Sequence, residues 1–167
     1  MGLLAMPSTG RAEDDTTSLI GKPAPDFTLQ SIDGKTVKLS ELKGNVLVLD
    51  FWATWCGPCV KSLPHLNEVA HDKPLAEKGL KVYAVNCGDT KAKVEKFLDN
   101  HKLQLNVLLD SNDAMQKDYL VNGIPATVIV GRDGAIKKVL IGFEPGQTEK
   151  ELGAAIAAAL KDPKPAN

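Results

Sequence analysis

Between Gly21 and Leu160 the chain alternates short aliphatic runs with stretches whose apolar positions recur every three or four residues. Residues 46–52 and 80–86 are apolar almost throughout, as strands buried on both faces are, and residues 106–109 form a shorter run of the same kind. The runs at 126–130 and 136–141 flank Arg132-Asp133-Gly134. Asp-Gly favours a tight turn, so an antiparallel hairpin is expected there. A smaller hairpin is expected over 27–30 and 36–39, around Asp33-Gly34. Helical periodicity predicts helices over 56–72, 90–101, 112–120 and 148–160. In the second, Val94, Phe97, Leu98 and His101 share one face. In the last, Leu152, Ile156 and Leu160 form the buried stripe behind Thr148 and Glu151, which have capping-box spacing. Pro64 removes a backbone donor inside the first helix and is expected to kink it. Strands alternating with helices describe an α/β domain, a mostly parallel sheet with helices on both faces.

The ends lack this periodicity. Residues 1–20 close on a polar run, Glu13 to Ser18, and read as a flexible leader; residues 161–167 carry two prolines and read as a tail. That leaves 21–160 as one domain, ordinary for a chain of 167 residues. Within the leader, Leu3-Leu4-Ala5-Met6 followed by Gly10-Arg11-Ala12 looks like the end of a secretory apolar segment and its cleavage site, although four apolar residues also arise by chance.

Charge and composition narrow the partners. Twenty Lys and Arg against 21 Asp and Glu give a formal charge of -1, so no cationic excess exists to bind nucleic acid or an anionic membrane. The longest apolar stretch, residues 46–55, is interrupted by Asp50 and Thr54 and is too short to span a bilayer. Three cysteines, Cys56, Cys59 and Cys87, are too few for a disulfide-stapled miniprotein, and one thiol is left over.

The candidate chemistry lies in Trp55-Cys56-Gly57-Pro58-Cys59. Two cysteines three apart, between an apolar strand and the first turn of a helix, close a disulfide only if the chain turns tightly, which Gly57 and Pro58 permit. The helix N-terminus directs unpaired N–H groups at Cys56 and favours its thiolate, the form that attacks a disulfide. Cys59, one turn further in, suits the resolving role. A structural zinc site would need a second ligand pair, and Cys87 with His65, His71 or His101 has no matching spacing.

At this point the sequence resembles a known family. Asp50-Phe-Trp-Ala-Thr-Trp-Cys-Gly-Pro-Cys59 looks like the active-site segment of the thioredoxin superfamily. Gly21-Lys-Pro-Ala-Pro-Asp-Phe-Thr-Leu29, Val85-Asn-Cys-Gly-Asp89, Gly123-Ile-Pro-Ala-Thr127 and the segment 142–152 resemble the exported TlpA/ResA-like thiol-disulfide oxidoreductases. The resemblance implies a thioredoxin-like three-layer fold: a central mixed sheet, helices on both faces and an N-terminal β-hairpin extension. It implies that Pro125 is a cis-proline facing the disulfide and that the backbone of Ile124 pairs with substrate. It also implies that Asp50 is a buried carboxyl of raised pKa, able to exchange protons with Cys59; a strand-edge Asp in water is the alternative. Trp55 would form part of an apolar platform beside Cys56, with Trp52 packed beneath.

Two departures from the ResA pattern carry information, the first pointing toward thioredoxin and the second removing a group tied to cytochrome c maturation. Asp50 stands where those proteins usually have Asn, and Ser62 where they have a Glu associated with cytochrome c maturation. Asp89 matches an acidic residue of the family but is equally readable as the N-cap of the next helix. The expected function is reduction of protein disulfides, with disulfide-bonded proteins as substrates, an upstream dithiol as electron donor, no cofactor and no metal. The protein is expected to be a monomer and exported, periplasmic or extracytoplasmic, with a cytoplasmic location left open. Two alternatives remain. A thiol peroxidase needs a Thr three residues before the reactive Cys and a nearby Arg; Ala53 holds that position, and the arginines are Arg11 and Arg132, the latter in an expected turn. A copper-binding or scaffold domain is the non-enzymatic reading. Cys87 is expected to stay reduced and buried.

Overall fold

The computed structural model describes residues 15–166. Its sheet has seven strands: β1 (Thr28–Ser31), β2 (Thr36–Lys38), β3 (Val46–Trp52), β4 (Leu80–Cys87), β5 (Val107–Asp110), β6 (Ala126–Val130) and β7 (Ile136–Ile141), in the order β2-β1-β5-β4-β3-β6-β7. The strands β3, β4 and β5 run parallel; the other four pairings are antiparallel. The sheet is therefore mixed, and the mostly parallel sheet expected from strand–helix alternation is corrected. Alternation sees that a helix follows a strand but cannot see that β6 enters beside β3 from the opposite direction.

The helices are α1 (Gly57–Ala70), α2 (Lys73–Glu77), α3 (Lys91–His101), α4 (Ala114–Asp118) and α5 (Gln147–Leu160). The first expected helix is in fact two. It stops at Ala70, and the Asp72 carboxylate caps α2 by accepting from Leu75 N–H at 3.0 Å, with Pro74 in the first turn where its missing donor costs nothing. α1 runs on through the exposed Pro64 without a break. Thr148 and Glu151 do not form the cap of α5: Glu149 accepts from Gly146 N–H at 2.7 Å, and Thr148 Oγ1 accepts from Glu144 N–H at 2.8 Å.

Strand period separates two cores. Val46, Val48 and Trp52 of β3 and Leu80, Val82 and Ala84 of β4 pack with α1, α3 and α5. Leu47, Leu49 and Phe51, with Val85 and Cys87, face Met115 of α4 and Tyr119 just after it on the other side. By the same alternation Asp50 belongs with Val48 and Trp52, on the face that also holds Cys56 and Cys59, whereas Cys87 lies on the opposite face.

The residues of the expected leader divide. Leu3 to Ala12, with the secretory signature, lie outside the described residues. Thr16–Leu19 forms a 3-10 turn, and the buried Thr16 donates its hydroxyl to the Leu120 carbonyl at 2.9 Å. At the far end of the sheet from Cys56, the buried Arg132 donates to the carbonyls of Lys78 (2.7 Å), Gly44 (3.3 Å) and Leu160 (3.4 Å). A Cβ on Gly79, whose φ is +99°, would stand 3.0 Å from Arg132 Nη1, so glycine is needed there.

Candidate active site

Cys56 follows β3 and is the N-cap of α1, where its sulfur accepts from Cys59 N–H at 3.3 Å. Cys56 and Cys59 are joined in a disulfide. Cys59 is wholly buried and Cys56 is 5% exposed, so Cys56 is the sulfur nearer solvent. Gly57 and Pro58 form the exposed first turn, and Trp55 is 69% exposed, far more than a core tryptophan. Trp52 is buried, its ring 5.1 Å from that of Phe97.

The bond between Ile124 and Pro125 is cis, and the Ile124 carbonyl oxygen lies 3.7 Å from Cys56 Sγ. The loop before β6 thus meets the start of α1, and residues 68 apart in sequence share one site. Cys56, Cys59, Trp55, Gly57, Pro58, Ile124 and Pro125 are gathered at the carboxyl ends of β3 and β4.

Asp50 is 4% exposed. Its Oδ1 accepts from Thr127 Oγ1 at 2.8 Å, and its Oδ2 has no partner among the described residues. Burial raises its pKa to about 7, against the opposing pull of the Thr127 hydroxyl. Asp50 and Thr127 line a crevice of about 20 Å³, with Ser62 and His65 of α1 and Glu149 and Leu152 of α5. Thr127 is a site residue that the sequence alone does not single out. Its signal was the antiparallel register, in which Asp50 pairs with Thr127, two residues past Pro125.

Asp89 behaves differently. Its carboxylate accepts from Thr54 N–H (2.8 Å), Thr54 Oγ1 (3.0 Å) and Asn86 Nδ2 (3.0 Å), and pairs with Lys93 at 3.3 Å. Burial pushes its pKa up, but these donors outweigh burial and hold it below the ordinary value. The cap of α3 is Thr90, whose hydroxyl accepts from Lys93 N–H at 3.3 Å, so the N-cap alternative for Asp89 is corrected. Asp89 instead ties the segment just before Cys56 to the end of β4.

Cys87 is free and buried; burial first, then the charges of Asp110 and Asp113, push its thiol up to about 12. His101 stacks on Phe97 at 4.0 Å, and His65 lies 3.6 Å from Glu68. Among the described residues no three His, Cys, Asp or Glu side chains come together as a metal site requires, and no helix is long and apolar enough to cross a membrane.

Known proteins share this arrangement. A family model described as the AhpC/TSA family matches residues 20–139. The thiol-disulfide oxidoreductase ResA of Geobacillus thermodenitrificans is 34% identical over 130 residues, 77% of this chain and 73% of that one. The ResA of Bacillus subtilis is 36% identical over 123 residues, 73% of this chain and 67% of that one. Among solved structures, the Chlorobium tepidum protein named as thiol:disulfide interchange protein DsbE superposes with a TM-score of 0.75 at 36% identity, covering 83% of this chain and 95% of its own. Fold, cysteine pair and relatives agree: the chain belongs to the AhpC/TSA family, among its ResA-like, thioredoxin-fold thiol-disulfide oxidoreductases.

Proposed function

We propose that this protein reduces disulfides of protein substrates through the Cys56/Cys59 dithiol. The observation that carries the reading is the placement of that pair: a disulfide at the N-terminus of α1, with the more exposed sulfur beside the backbone of Ile124. In the reduced protein the Cys56 thiolate attacks one sulfur of a substrate disulfide, and the other substrate sulfur leaves and takes up a proton. The resulting mixed disulfide is attacked at Cys56 Sγ by the Cys59 thiolate. The second substrate thiol departs, and the protein holds the two-electron oxidised pair. A dithiol donor then returns two electrons and two protons.

Cys59 must lose a proton in the second step, and Asp50 is the group we assign to accept it. Its place on the same face and a pKa of about 7 let it take and release protons near neutrality, where a base works best. Trp55, Gly57 and Pro58 neighbour Cys56 in the chain and the Ile124 carbonyl lies 3.7 Å from its sulfur; these residues and Pro125 are assigned to substrate contact. The ResA and DsbE resemblance supports work outside the cytoplasm. For peroxide reduction, Ala53 occupies the position where a Thr is needed, and Arg132 is bound to three carbonyls at the opposite end of the sheet.

The test is a pair of variants assayed on insulin disulfides. Cys56→Ser is expected to abolish reduction, and Cys59→Ser to retain the first attack and accumulate a mixed disulfide visible by mass. Faster alkylation of Cys59 than of Cys56 in the reduced protein, or peroxide turnover in place of disulfide reduction, would overturn the reading.

A further inference from the structure

Beside the cysteine pair, a cavity of about 560 Å³ opens between the β3–α1 segment, the end of β4 and the start of α4. Trp55 and Ile124 form the side nearest the disulfide, while Asp113, Gln116 and Asn122 line the rest. Ile124, one of its lining residues, has its carbonyl oxygen 3.7 Å from Cys56 Sγ, so the cavity adjoins the sulfur to which a substrate would be joined.

The lining has one charged side chain, Asp113. Its neighbours among the acids are already used. Asp110 accepts from Met115 N–H at 3.1 Å and Gln116 N–H at 2.8 Å, and Asp89 is saturated by Thr54, Asn86 and Lys93. Asp113 has neither an ion pair nor a hydrogen bond to its carboxylate among the described residues, and it is exposed. Its backbone is left-handed, with φ of +59°, a conformation Asp and Asn tolerate better than most residues. Gly88, also lining the cavity, has φ of +81° and no side chain to stand between Asp113 and the opening. An unpaired carboxylate, an exposed indole and two side-chain amides around one cavity match a guanidinium or ammonium group: charge for the carboxylate, a cation for the aromatic face, donors for the amide oxygens.

We propose that this cavity selects substrates carrying an arginine or lysine close in sequence to the cysteine that Cys56 attacks, with Asp113 as the specificity-determining residue and Trp55 as the aromatic wall. An extended chain advances about 3.3 Å per residue and successive side chains alternate in direction, so the second and third positions from that cysteine are the ones to compare. The inference rests on the disulfide-reductase reading above and deepens it.

The test uses disulfide-linked peptides that differ only by Arg, Gln or Glu at the second or third position on either side of the cysteine. With the wild-type protein, kcat/KM for Arg over Gln is expected to be about fivefold at one of these positions, the scale of one exposed ion pair together with a cation–π contact, and to shrink at high salt. In Asp113→Asn that ratio is expected to fall to about twofold, the part left by the cation–π contact with Trp55. In Asp113→Lys the preference is expected to invert toward Glu. A wild-type ratio within twofold at every position, or an Asn variant that keeps the preference, would overturn the proposal. Failure of the reduced wild-type protein to cleave any of the peptides would instead overturn the disulfide-reductase reading.

Discussion

Two carboxylates at the active end of the sheet are both buried, Asp50 at 4% exposure and Asp89 at 8%, yet they are held in opposite ways. Asp89 is surrounded by donors from Thr54, Asn86 and Lys93 and stays ionised. Asp50 has one donor, Thr127, and its second oxygen has none, so burial dominates and the proton is held up to about pH 7. The contrast teaches that depth and donor count together separate a carboxylate that fastens a loop, near enough to the surface to meet the exposed Lys93, from a deeper one with a single donor that can exchange a proton. It assigns Asp89 to holding Thr54 and the start of the cysteine loop, and leaves Asp50 free to titrate.

The sharpest way to break the comparison is to neutralise Asp50 and follow stability against pH in the oxidised protein. Its folded pKa lies above the 3.8 of an ordinary aspartate, so between about pH 4 and 7 the folded state holds a proton the unfolded state has lost. Stability therefore falls as pH rises through that window and levels off above it. In Asp50→Asn this loss is absent. The variant is expected to gain on wild type between pH 4 and pH 8 by roughly 4 kcal/mol at most, from a shift of about 3 units at 1.36 kcal/mol each. Urea midpoints at the two pH values check it; a gap that does not widen with pH would remove the raised pKa and with it the proton-acceptor role.

The same kind of change at Asp89 has the opposite sign. Asp89→Ala strands the Thr54 N–H, the Thr54 hydroxyl and the Asn86 amide, and is expected to cost about 3 kcal/mol at pH 7. Here the folded pKa is depressed, so the contribution is present above the unfolded value and is lost as pH falls through the lower folded value. The gap between wild type and variant should therefore narrow in acid by the ionisation-linked part, while the donors stranded in the variant keep the rest of the difference. A variant as stable as wild type at pH 7 would show that the Asp89 network fastens nothing.

How far these two sites were legible follows from the range of their contacts. Asp50 stands out in the sequence because it interrupts the run 46–52 at a position where strand period buries it with Val48 and Trp52. The disulfide is local, three residues long, and announces itself. Asp89 reaches Thr54 across 35 residues, and Thr127 reaches Asp50 across 77; no period or motif encodes either pairing until β3 is known to lie between β4 and β6. Arg132 fails to show for the same reason. In an exposed turn it is an ordinary residue, whereas its three carbonyl partners come from the ends of segments 28 to 88 residues away. Local signals also misled where two were present: Pro74 after Asp72 restarts a helix that periodicity carries through, and Glu149, not Glu151, meets the backbone at the start of α5.

The smallest expected effect refines the comparison by removing Asp50's single donor. The Thr127 hydroxyl donates to Oδ1 at 2.8 Å and favours the ionised form, acting against burial. A hydrogen bond of this kind contributes about 1 kcal/mol, so Thr127→Val is expected to move the Asp50 pKa up by about 1 unit. At pH 7 the ionised fraction would then fall from about one half to about one tenth, and the resolving step should slow about fivefold if Asp50 is its base. At pH 9 the carboxyl is ionised in both proteins and the rates should meet. A loss of packing alone would lower the rate at every pH and leave the profile where it was. Thr127→Ser keeps the hydroxyl and is expected to restore the wild-type profile, which makes the alkaline displacement of the Val variant, and its absence in the Ser variant, the finest measure of how one donor sets Asp50 apart from Asp89.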